Sequence, residues 1–465
     1  MTGAREKMGL DDAIVNGMSF HEMEACTIDP EIEQIDYPLV RLELNKRFAV
    51  LEAEGLILDF VTGQALTAYS LVKVVAATYK YRDADGKQHS AAARWLDDPE
   101  RRSFRERKFM PGLEPEAGGI LNTWPGFAVK PIKTDKPEYN ASWFTLLVRI
   151  MLGYLDPQGE EEARRFIQWC AWPFAHPTES KILRAWILWS ALRGVGKGLL
   201  ARALMALYGR SLALSLSPAV FRSAFDGAAE NAMFTVLDEA DNSTKTEGGS
   251  AKLKQLVTEP VLVVNPKYGR QKTITNHANV LITSNHPNPV KIDGEAERRF
   301  EVREIKSRPL SPWFAEHVAA NIKSEQSLGE LLYYFQNCVD FSDFDPTAPA
   351  RRGEDFYQVV DAGLNAAERF VAEAMAGSVE SLAFKDIYHL DEIAAAAPDD
   401  ARRAHWFASA VRNALQRRGA VALRPTKVGG VTKRLWAIRD AEKWKNAGGA
   451  EIANEYLQGR KAAKY

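Results

Sequence analysis

The sequence predicts an α/β protein built around a parallel sheet. Between residues 181 and 305, apolar runs suited to buried strands alternate with segments of helical periodicity. The residues before them mix short alternating runs with turns, which indicates an α+β domain. The last part of the chain combines helices with two strands around Gly429 and Gly430, which indicates a small separate module.

Changes of periodicity and loops rich in glycine and proline predict where the domains lie. The predicted parts are an N-terminal lead-in (1–30), an α+β domain (31–135), a helical collar (136–178), the α/β core (179–310), a helical lid (311–350), a winged-helix-like module (355–442) and a basic tail (443–465). In the α+β domain, RFAVLEAEGLILDFVTG predicts a hairpin. LVKVVAATYKYRDADGKQHSAAARWL predicts a strand, a turn and the start of a helix.

Composition excludes several classes of protein. The net charge of −1 points to no particular partner, and 46% hydrophobic residues exclude a disordered chain. The 3 cysteines lack C-x-x-C spacing, which argues against a disulfide framework or a zinc site. The first residues hold no apolar stretch long enough for a signal peptide, and the sequence has no apolar run of about 18 residues. We therefore expect a soluble cytoplasmic protein without a membrane partner.

The stretch AWILWSALRGVGKGLLARALMALYG, from Ala185 to Gly209, has the outline of a phosphate-binding loop between a buried strand and a helix. In such a loop, backbone N–H groups converge at a helix N-terminus, where the helix dipole favours anions. Glycines allow the backbone to approach the phosphates, and Lys197 would reach the outer ones. The predicted nucleotide-binding residues are Arg193, Gly194, Val195, Gly196, Lys197, Gly198 and Leu199.

Two positions depart from the pattern G-x-x-x-x-G-K-[ST]. Ala191 stands where the first glycine is usual, and Gly194 could provide that turn instead. Gly198 removes the hydroxyl that normally binds Mg²⁺, although water can take its place because Mg²⁺ keeps several waters. The loop alone leaves two interpretations open: a variant nucleotide site, or a glycine-rich turn with a solvated lysine.

Polar side chains follow two further apolar strands, in AMFTVLDEADN and NVLITSNHPNP. Ligands of open α/β sheets bind at the carboxyl ends of the strands. Asp238 is therefore predicted to hold Mg²⁺ through water, Glu239 to activate the attacking water, and Asn285 to hold the γ-phosphate or that water. Taken singly, these residues also fit strands that end in solvated acids or a turn.

The segment GEAERRFEVREI adds Arg298 and Arg299 as catalytic candidates. An arginine from a neighbouring subunit can stabilise charge on a γ-phosphate in the transition state. By itself, the pair also fits two basic residues on the protein surface.

The order and spacing of these motifs strongly resemble superfamily 3 helicases of the AAA+ class. The sequence is most similar to the helicase part of phage and plasmid primase-helicases related to the poxvirus-type enzyme. The likeness covers roughly residues 40–310, including ARWLDDPERRSF, LNTWPGFAVKP and the GVGKG ending, a loop variant seen in that family. It implies a AAA+ P-loop ATPase core, ATP and Mg²⁺ as cofactors, and a homo-oligomeric ring that we expect to be a hexamer.

A hairpin and the C-terminal module are the predicted DNA contacts. VLVVNPKYGRQKTIT predicts a hairpin with a basic tip, and the resemblance implies that Lys267 there touches DNA phosphates. Tyr268, Arg270 and Lys272 are further predicted DNA-binding residues, and Lys254 is a weaker candidate for nucleotide or DNA. Residues 401–465 hold 15 Lys+Arg against 4 Asp+Glu, around a helix followed by two strands. The alternatives are an exposed hairpin with solvated charges and, for the C-terminal module, a partner-docking module with a solvated basic face.

The predicted function is an ATP-dependent DNA helicase of a phage or other mobile replicon, acting as a ring on single-stranded or forked DNA. One alternative is a AAA+ enzyme that melts an origin without unwinding. Another is a DNA-binding initiator that uses ATP as an assembly switch. A fused primase is disfavoured because no paired metal-binding carboxylates lie upstream and the forty-odd residues before the helicase-like segment leave no room for one. A separate primase or polymerase could supply that activity.

Overall fold

The computed structural model describes residues 37–83, 85–153, 157–216, 230–238, 247–265, 271–287, 289–290, 292, 297–364, 366–398 and 407–462. The chain divides into two compact units. The first comprises Met1–Gly126 and His176–Glu179, and the second comprises Phe127–Ala175 and Ser180–Tyr465. Among the described residues, no helix has the length and apolar character that crossing a bilayer requires.

The first unit is the α+β part of the chain. Its helices are α1 (Tyr37–Arg47), α2 (Ala68–Ser70) and α3 (Ala91–Asp97). Its strands are β1 (Phe48–Leu51), β2 (Leu56–Asp59), β3 (Ala65–Leu66), β4 (Lys80–Arg82), β5 (Gln88–Ser90), β6 (Ser103–Phe104), β7 (Glu106–Lys108), β8 (Glu116–Ala117) and β9 (Ile120–Asn122). They form three sheets, ordered β3-β2-β1-β6, β4-β5 and β7-β9-β8. The predicted hairpin is confirmed, because β1 pairs antiparallel with β2.

One local prediction is wrong, because Leu71–Val75 forms a π-helical segment and not a strand. The hydroxyl oxygen of Thr67 accepts a hydrogen bond from the Ser70 amide, which starts a helix just before this segment. Leu71 is fully buried in the core of the unit. Helical packing therefore prevails over the strand propensity of the valines. The strand forms later, as β4, and pairs with β5 across the predicted turn.

The second unit contains a five-stranded sheet ordered β11-β12-β15-β10-β16. Its strands are β10 (Ala185–Trp189), β11 (Ala213–Leu216), β12 (Phe234–Asp238), β15 (Asn279–Ser284) and β16 (Phe300–Glu304). All neighbouring pairs are parallel, which confirms the predicted sheet. Every residue of β10 and β15 is buried, as expected for interior strands of a parallel sheet.

Helices pack around this sheet. Those before it and beside it are α4 (Pro137–Asn140), α5 (Ser142–Leu152), α6 (Pro157–Ala175), α7 (Lys197–Tyr208) and α8 (Glu247–Thr258). Those after it are α9 (Pro312–Lys323), α10 (Glu325–Asn337) and α11 (Glu354–Gly363). Helix α7 ends at Gly209, as the sequence predicts, and Tyr208 stacks on Phe234 of β12 with ring centroids 5.2 Å apart. This contact fixes the helix that follows the glycine-rich loop against the sheet.

Two further parts of the second unit follow the predicted pattern. Strands β13 (Val261–Val264) and β14 (Lys272–Thr275) form the predicted antiparallel hairpin. The last part contains α12 (Ala366–Met375), β17 (Ile387–His389), α13 (Leu390–Ala395), α14 (Phe407–Arg417), β18 (Val421–Ala422), β19 (Thr426–Val428), β20 (Val431–Lys433), β21 (Leu435–Ala437), α15 (Ala441–Asn446) and α16 (Gly449–Ala462). Its sheets are β17-β21-β18 and the hairpin β19-β20, which turns at Gly429 and Gly430 as predicted.

Candidate nucleotide site

The parallel register brings three strand ends together at one edge of the sheet. Trp189, the last residue of β10, lies opposite Ser284, the last residue of β15. Asp238, the last residue of β12, lies opposite Thr283 on the other side of β15. The glycine-rich loop, Asp238 and Asn285 therefore leave the sheet at the same edge, where open α/β sheets bind ligands.

Two glycines give the loop after β10 its shape. Gly194 has φ +76° and Gly196 has φ +106°, both in the left-handed region that favours glycine. The Gly194 carbonyl accepts a hydrogen bond of 3.0 Å from the Leu310 amide. A Cβ on Gly196 would lie only 2.8 Å from Cδ1 of Leu147. These two positions therefore require glycine.

The alanine at the first position of the pattern causes no strain. Among the described residues other than glycine, only Asp440 has a positive φ, so Ala191 lies in an ordinary backbone conformation. The turn that the common pattern assigns to that position occurs at Gly194 in this loop. The structure thus explains physically how the loop tolerates Ala191.

Lys197 begins helix α7 and lies partly buried beside Asp238. Burial lowers the pKa of the Lys197 amine below its usual range, and the Asp238 carboxylate opposes that shift. The two predicted site residues are therefore near enough for the charge of one to affect the other, although they belong to different strand–loop connections. A lysine at a helix N-terminus also faces the positive end of the helix dipole, which favours an anion as its additional partner.

The residues at the ends of the neighbouring strands differ in their hydrogen-bond partners. The Thr283 hydroxyl donates a hydrogen bond to the Asp238 carboxylate. The Ser284 hydroxyl accepts one of 2.9 Å from the His286 amide, so it belongs to the turn. Asn285 is partly buried, and its side-chain amide forms no hydrogen bond with any residue that the structure describes. Its donor and acceptor atoms are therefore available to a ligand.

Gly198, the second departure from the pattern, faces open space. A Cβ added there would meet no atom of the described residues within 4 Å, and its φ is not in the left-handed region. No described side chain takes the place of the usual hydroxyl. The described residues also contain no cluster of three or more His, Cys, Asp or Glu side chains able to hold a metal ion. A magnesium ion held by one carboxylate, phosphates and water needs no such cluster.

Arg298 and Arg299 lie at the opposite edge of the sheet from the loop. They precede Phe300, which pairs with Ala185 at the start of β10. At about 3.3 Å per residue, β10 separates this edge from the loop by about 13 Å. Neither arginine is therefore brought to Lys197 of its own chain.

The two arginines are held very differently. Arg299 pairs with Glu297 at 3.1 Å and donates to the Thr258 hydroxyl at 3.3 Å. Glu297 is only 2% exposed on its side chain and also pairs with Lys254 at 3.6 Å, so Lys254 lies at this edge as well. Arg298 is exposed, and its side chain forms no ion pair or hydrogen bond with any described residue.

The predicted DNA-binding residues fall largely outside the described residues. Lys267, Tyr268 and Arg270 lie there, as does the catalytic candidate Glu239. Lys272 is described, at the start of β14, and its amine is 2.6 Å from the Glu230 carboxylate.

Two residues that position side chains of the candidate site were not predicted from the sequence. Thr283 orients Asp238, and Glu297 holds Arg299. Thr283 lies within the apolar strand before Ser284 and Asn285, and Glu297 directly precedes the arginine pair. Their partners could not be assigned without the strand register.

Comparisons with known proteins agree with this fold. Residues 188–299 match a family of unknown function, DUF5906. The chain is 29% identical over 190 residues to the DNA primase-polymerase of Nitratiruptor phage NrS-1, which covers 40% of this chain and 25% of that protein. The match thus spans about a quarter of the length of this curated relative.

Solved structures extend the comparison. An apo structure of the NrS-1 C-terminal region has a TM-score of 0.58 and 17% identity, over 86% of this chain and 98% of that one. A second apo structure, of the A form, has a TM-score of 0.57 and 18% identity. The chain shares its fold with this region. The predicted relation to phage replication proteins is confirmed at this level, whereas the superfamily 3 helicase assignment stays a prediction.

A matched pair of alanine substitutions tests the loop geometry. Gly198→Ala should raise the free energy of unfolding by about 0.5–1 kcal/mol, because it replaces a glycine in the first turn of α7 with open space around it. Gly196→Ala should lower it by more than about 1 kcal/mol, because it combines a positive φ with a clash against Leu147. Thermal unfolding of both variants measures the difference. Equal effects would contradict the loop conformation.

Proposed function

We propose that the chain is an ATP hydrolase that drives DNA unwinding in phage replication, with a AAA+ P-loop core. The observation that carries the proposal is the set of residues at one edge of the sheet. A partly buried lysine at a helix N-terminus, a carboxylate and an amide that has no partner among the described residues follow three neighbouring strands there, beside a glycine loop. These groups match the chemistry of a triphosphate with its metal ion.

The residues present fit ATP and Mg²⁺. Gly194 and Gly196 keep side chains away from the loop backbone, so that its N–H groups can approach phosphate oxygens. The negative charge of the phosphates favours the ammonium form of Lys197 and so offsets the effect of its burial. When bound, Mg²⁺ would neutralise charge on the phosphates, with Asp238 as its protein ligand through water.

The proposed hydrolysis assigns one task to each remaining residue. Asn285 orients the γ-phosphate or the attacking water through its amide. Glu239, which follows Asp238 in the chain, accepts the proton of that water as it attacks phosphorus. The bond between the γ-phosphorus and the bridging oxygen breaks, and ADP leaves with that oxygen.

The arginine that completes the site would come from a second copy of the chain. The position of Arg298 and Arg299 at the far sheet edge supports this part of the proposal, because neither reaches its own pocket. Arg298 is the better candidate, since Arg299 is already held by Glu297 and Thr258. An enzyme with such a shared site requires an oligomer, for which we propose a ring, and specifically a hexamer.

DNA would be bound by the β13-β14 hairpin and the basic C-terminal part. The antiparallel pairing of β13 with β14 supports this assignment, because Lys267 lies between these two strands in the sequence. Helix α14 followed by the β19-β20 hairpin fits a winged-helix-like module that contacts nucleic acid. The name of the phage relative, a DNA primase-polymerase, also supports work on DNA, with a primase or polymerase as a candidate partner.

Strand displacement separates helicase action from the initiator alternatives. A helicase should separate a forked duplex with ATP and magnesium, and a non-hydrolysable analogue should not support it. An initiator that melts an origin or assembles on ATP would bind DNA without displacing the strand. That result would overturn the helicase part while leaving the nucleotide site intact.

Mixing two inactive variants tests whether Arg298 acts in trans. Arg298→Ala should lower ATP turnover by about 1,000-fold or more while the variant still binds ATP. Lys197→Ala should be inactive because it lacks the phosphate contact. Mixed rings should regain part of the turnover, because Lys197→Ala subunits supply Arg298 to the intact loops of their neighbours. Arg299→Ala is the control and should chiefly lower thermal stability.

Two outcomes would contradict this arrangement. The first is that variants shown by light scattering to assemble together recover no turnover. The second is that Arg298→Ala alone hydrolyses ATP at the wild-type rate.

Two lysines of the hairpin segment should differ in their effect on DNA binding. Lys267→Ala should weaken binding of single-stranded DNA and reduce the salt dependence of binding by about one phosphate contact. Lys272→Ala should change it less, because Lys272 is paired with Glu230. Fluorescence anisotropy at several salt concentrations measures both. A larger effect of Lys272→Ala would contradict the role of the hairpin tip.

A further inference from the structure

An exposed tryptophan stands on the helix that follows the sheet. Trp313 is 72% exposed, although burial of such a large apolar ring would stabilise the fold. Its indole lies parallel to the His317 ring, with a centroid separation of 5.6 Å and an interplanar angle of 5°. Both side chains are exposed, so the stacked pair forms an aromatic face on the first turns of α9.

The segment before this tryptophan is attached to the glycine loop. The Leu310 amide donates to the Gly194 carbonyl at 3.0 Å, and Leu310 Cδ1 lies 3.2 Å from the Cβ position of Gly196. Trp313 follows Leu310 by three residues, so their Cα atoms are at most about 11 Å apart. The aromatic face therefore follows closely, in the chain, the residue that contacts the glycine loop proposed to bind phosphate.

Helix α9, which carries Trp313, is fixed to the rest of its unit. The Ser311 hydroxyl accepts a hydrogen bond of 3.3 Å from the Phe314 amide and so caps the helix. Phe314 and Val318 are buried, and the helix packs against α5 and α7. Residues on the buried face anchor α9, while Trp313 and His317 remain outside it. Trp313 is therefore exposed although the helix that carries it is capped and packed against its neighbours.

We propose that Trp313, supported by His317, is the platform on which the base of the bound nucleotide stacks. The inference rests on the proposed nucleotide site and adds the base to it. Stacking uses the π-face that every base has, so it adds affinity without strict selection of one base. A purine gains more than a pyrimidine because its ring system offers more surface to the indole.

Comparing the affinity for ATP with that for inorganic tripolyphosphate separates the contribution of the base and sugar from that of the phosphates. Trp313→Ala should weaken ATP binding by about 10- to 100-fold and leave tripolyphosphate binding unchanged, as measured by calorimetry. Trp313→Phe should recover much of the ATP affinity. Tyr139→Ala is the matched control, since Tyr139 is an aromatic residue 76% exposed in the same unit, and it should change neither affinity.

The outcomes distinguish this inference from the function on which it rests. If the wild type binds both ligands and Trp313→Ala binds ATP equally well, stacking is overturned and the phosphate site stands. Equal losses for both ligands would also overturn it, because the base would then play no separate part. A changed oligomeric state with unchanged ATP affinity would assign the aromatic face to a subunit contact instead. Failure of the wild type to bind either ligand would overturn the phosphate site and this inference together.

Discussion

The parallel register of β12, β15 and β10 is the constraint on which the candidate site depends. It sets Trp189 opposite Ser284 and Asp238 opposite Thr283, so that residues far apart in sequence leave the sheet at one edge. The interaction between Lys197 and Asp238 is a consequence of that register. A shift by one residue would move every side chain of a strand to the other face of the sheet, and the packing on both faces opposes such a shift.

Much of this arrangement could be predicted from the sequence because its signals are local. A continuous apolar run predicts an interior strand, and Gly209 predicts the end of α7. The segment Leu71–Val75 shows the limit, because its valines favour a strand while the packing of Leu71 favours a helix. The sequence could not decide which glycine provides the turn of the loop, because that depends on the backbone φ angles.

The arginine pair shows a second limit. The sequence places Arg298 and Arg299 side by side, yet only Arg299 has a buried carboxylate partner among the described residues. Strand pairing puts both arginines at the edge of the sheet remote from Lys197. This position supports a nucleotide site that is shared between two subunits, which the sequence alone could not distinguish from a pair of surface arginines. The shared fold with the NrS-1 C-terminal region is consistent with a common scaffold, while the chemistry rests on the residues of this chain.

Calorimetric titration of the intact chain with ATP and magnesium tests whether the glycine loop and Lys197 bind a triphosphate. We predict saturable binding that weakens at least about tenfold in Lys197→Ala, because the phosphates lose a charged hydrogen-bond donor. Lys323→Ala, which removes an exposed lysine at the end of α9, should bind like the wild type. Equal ATP affinity of the Lys197→Ala variant and the wild type would contradict a nucleotide site at this loop.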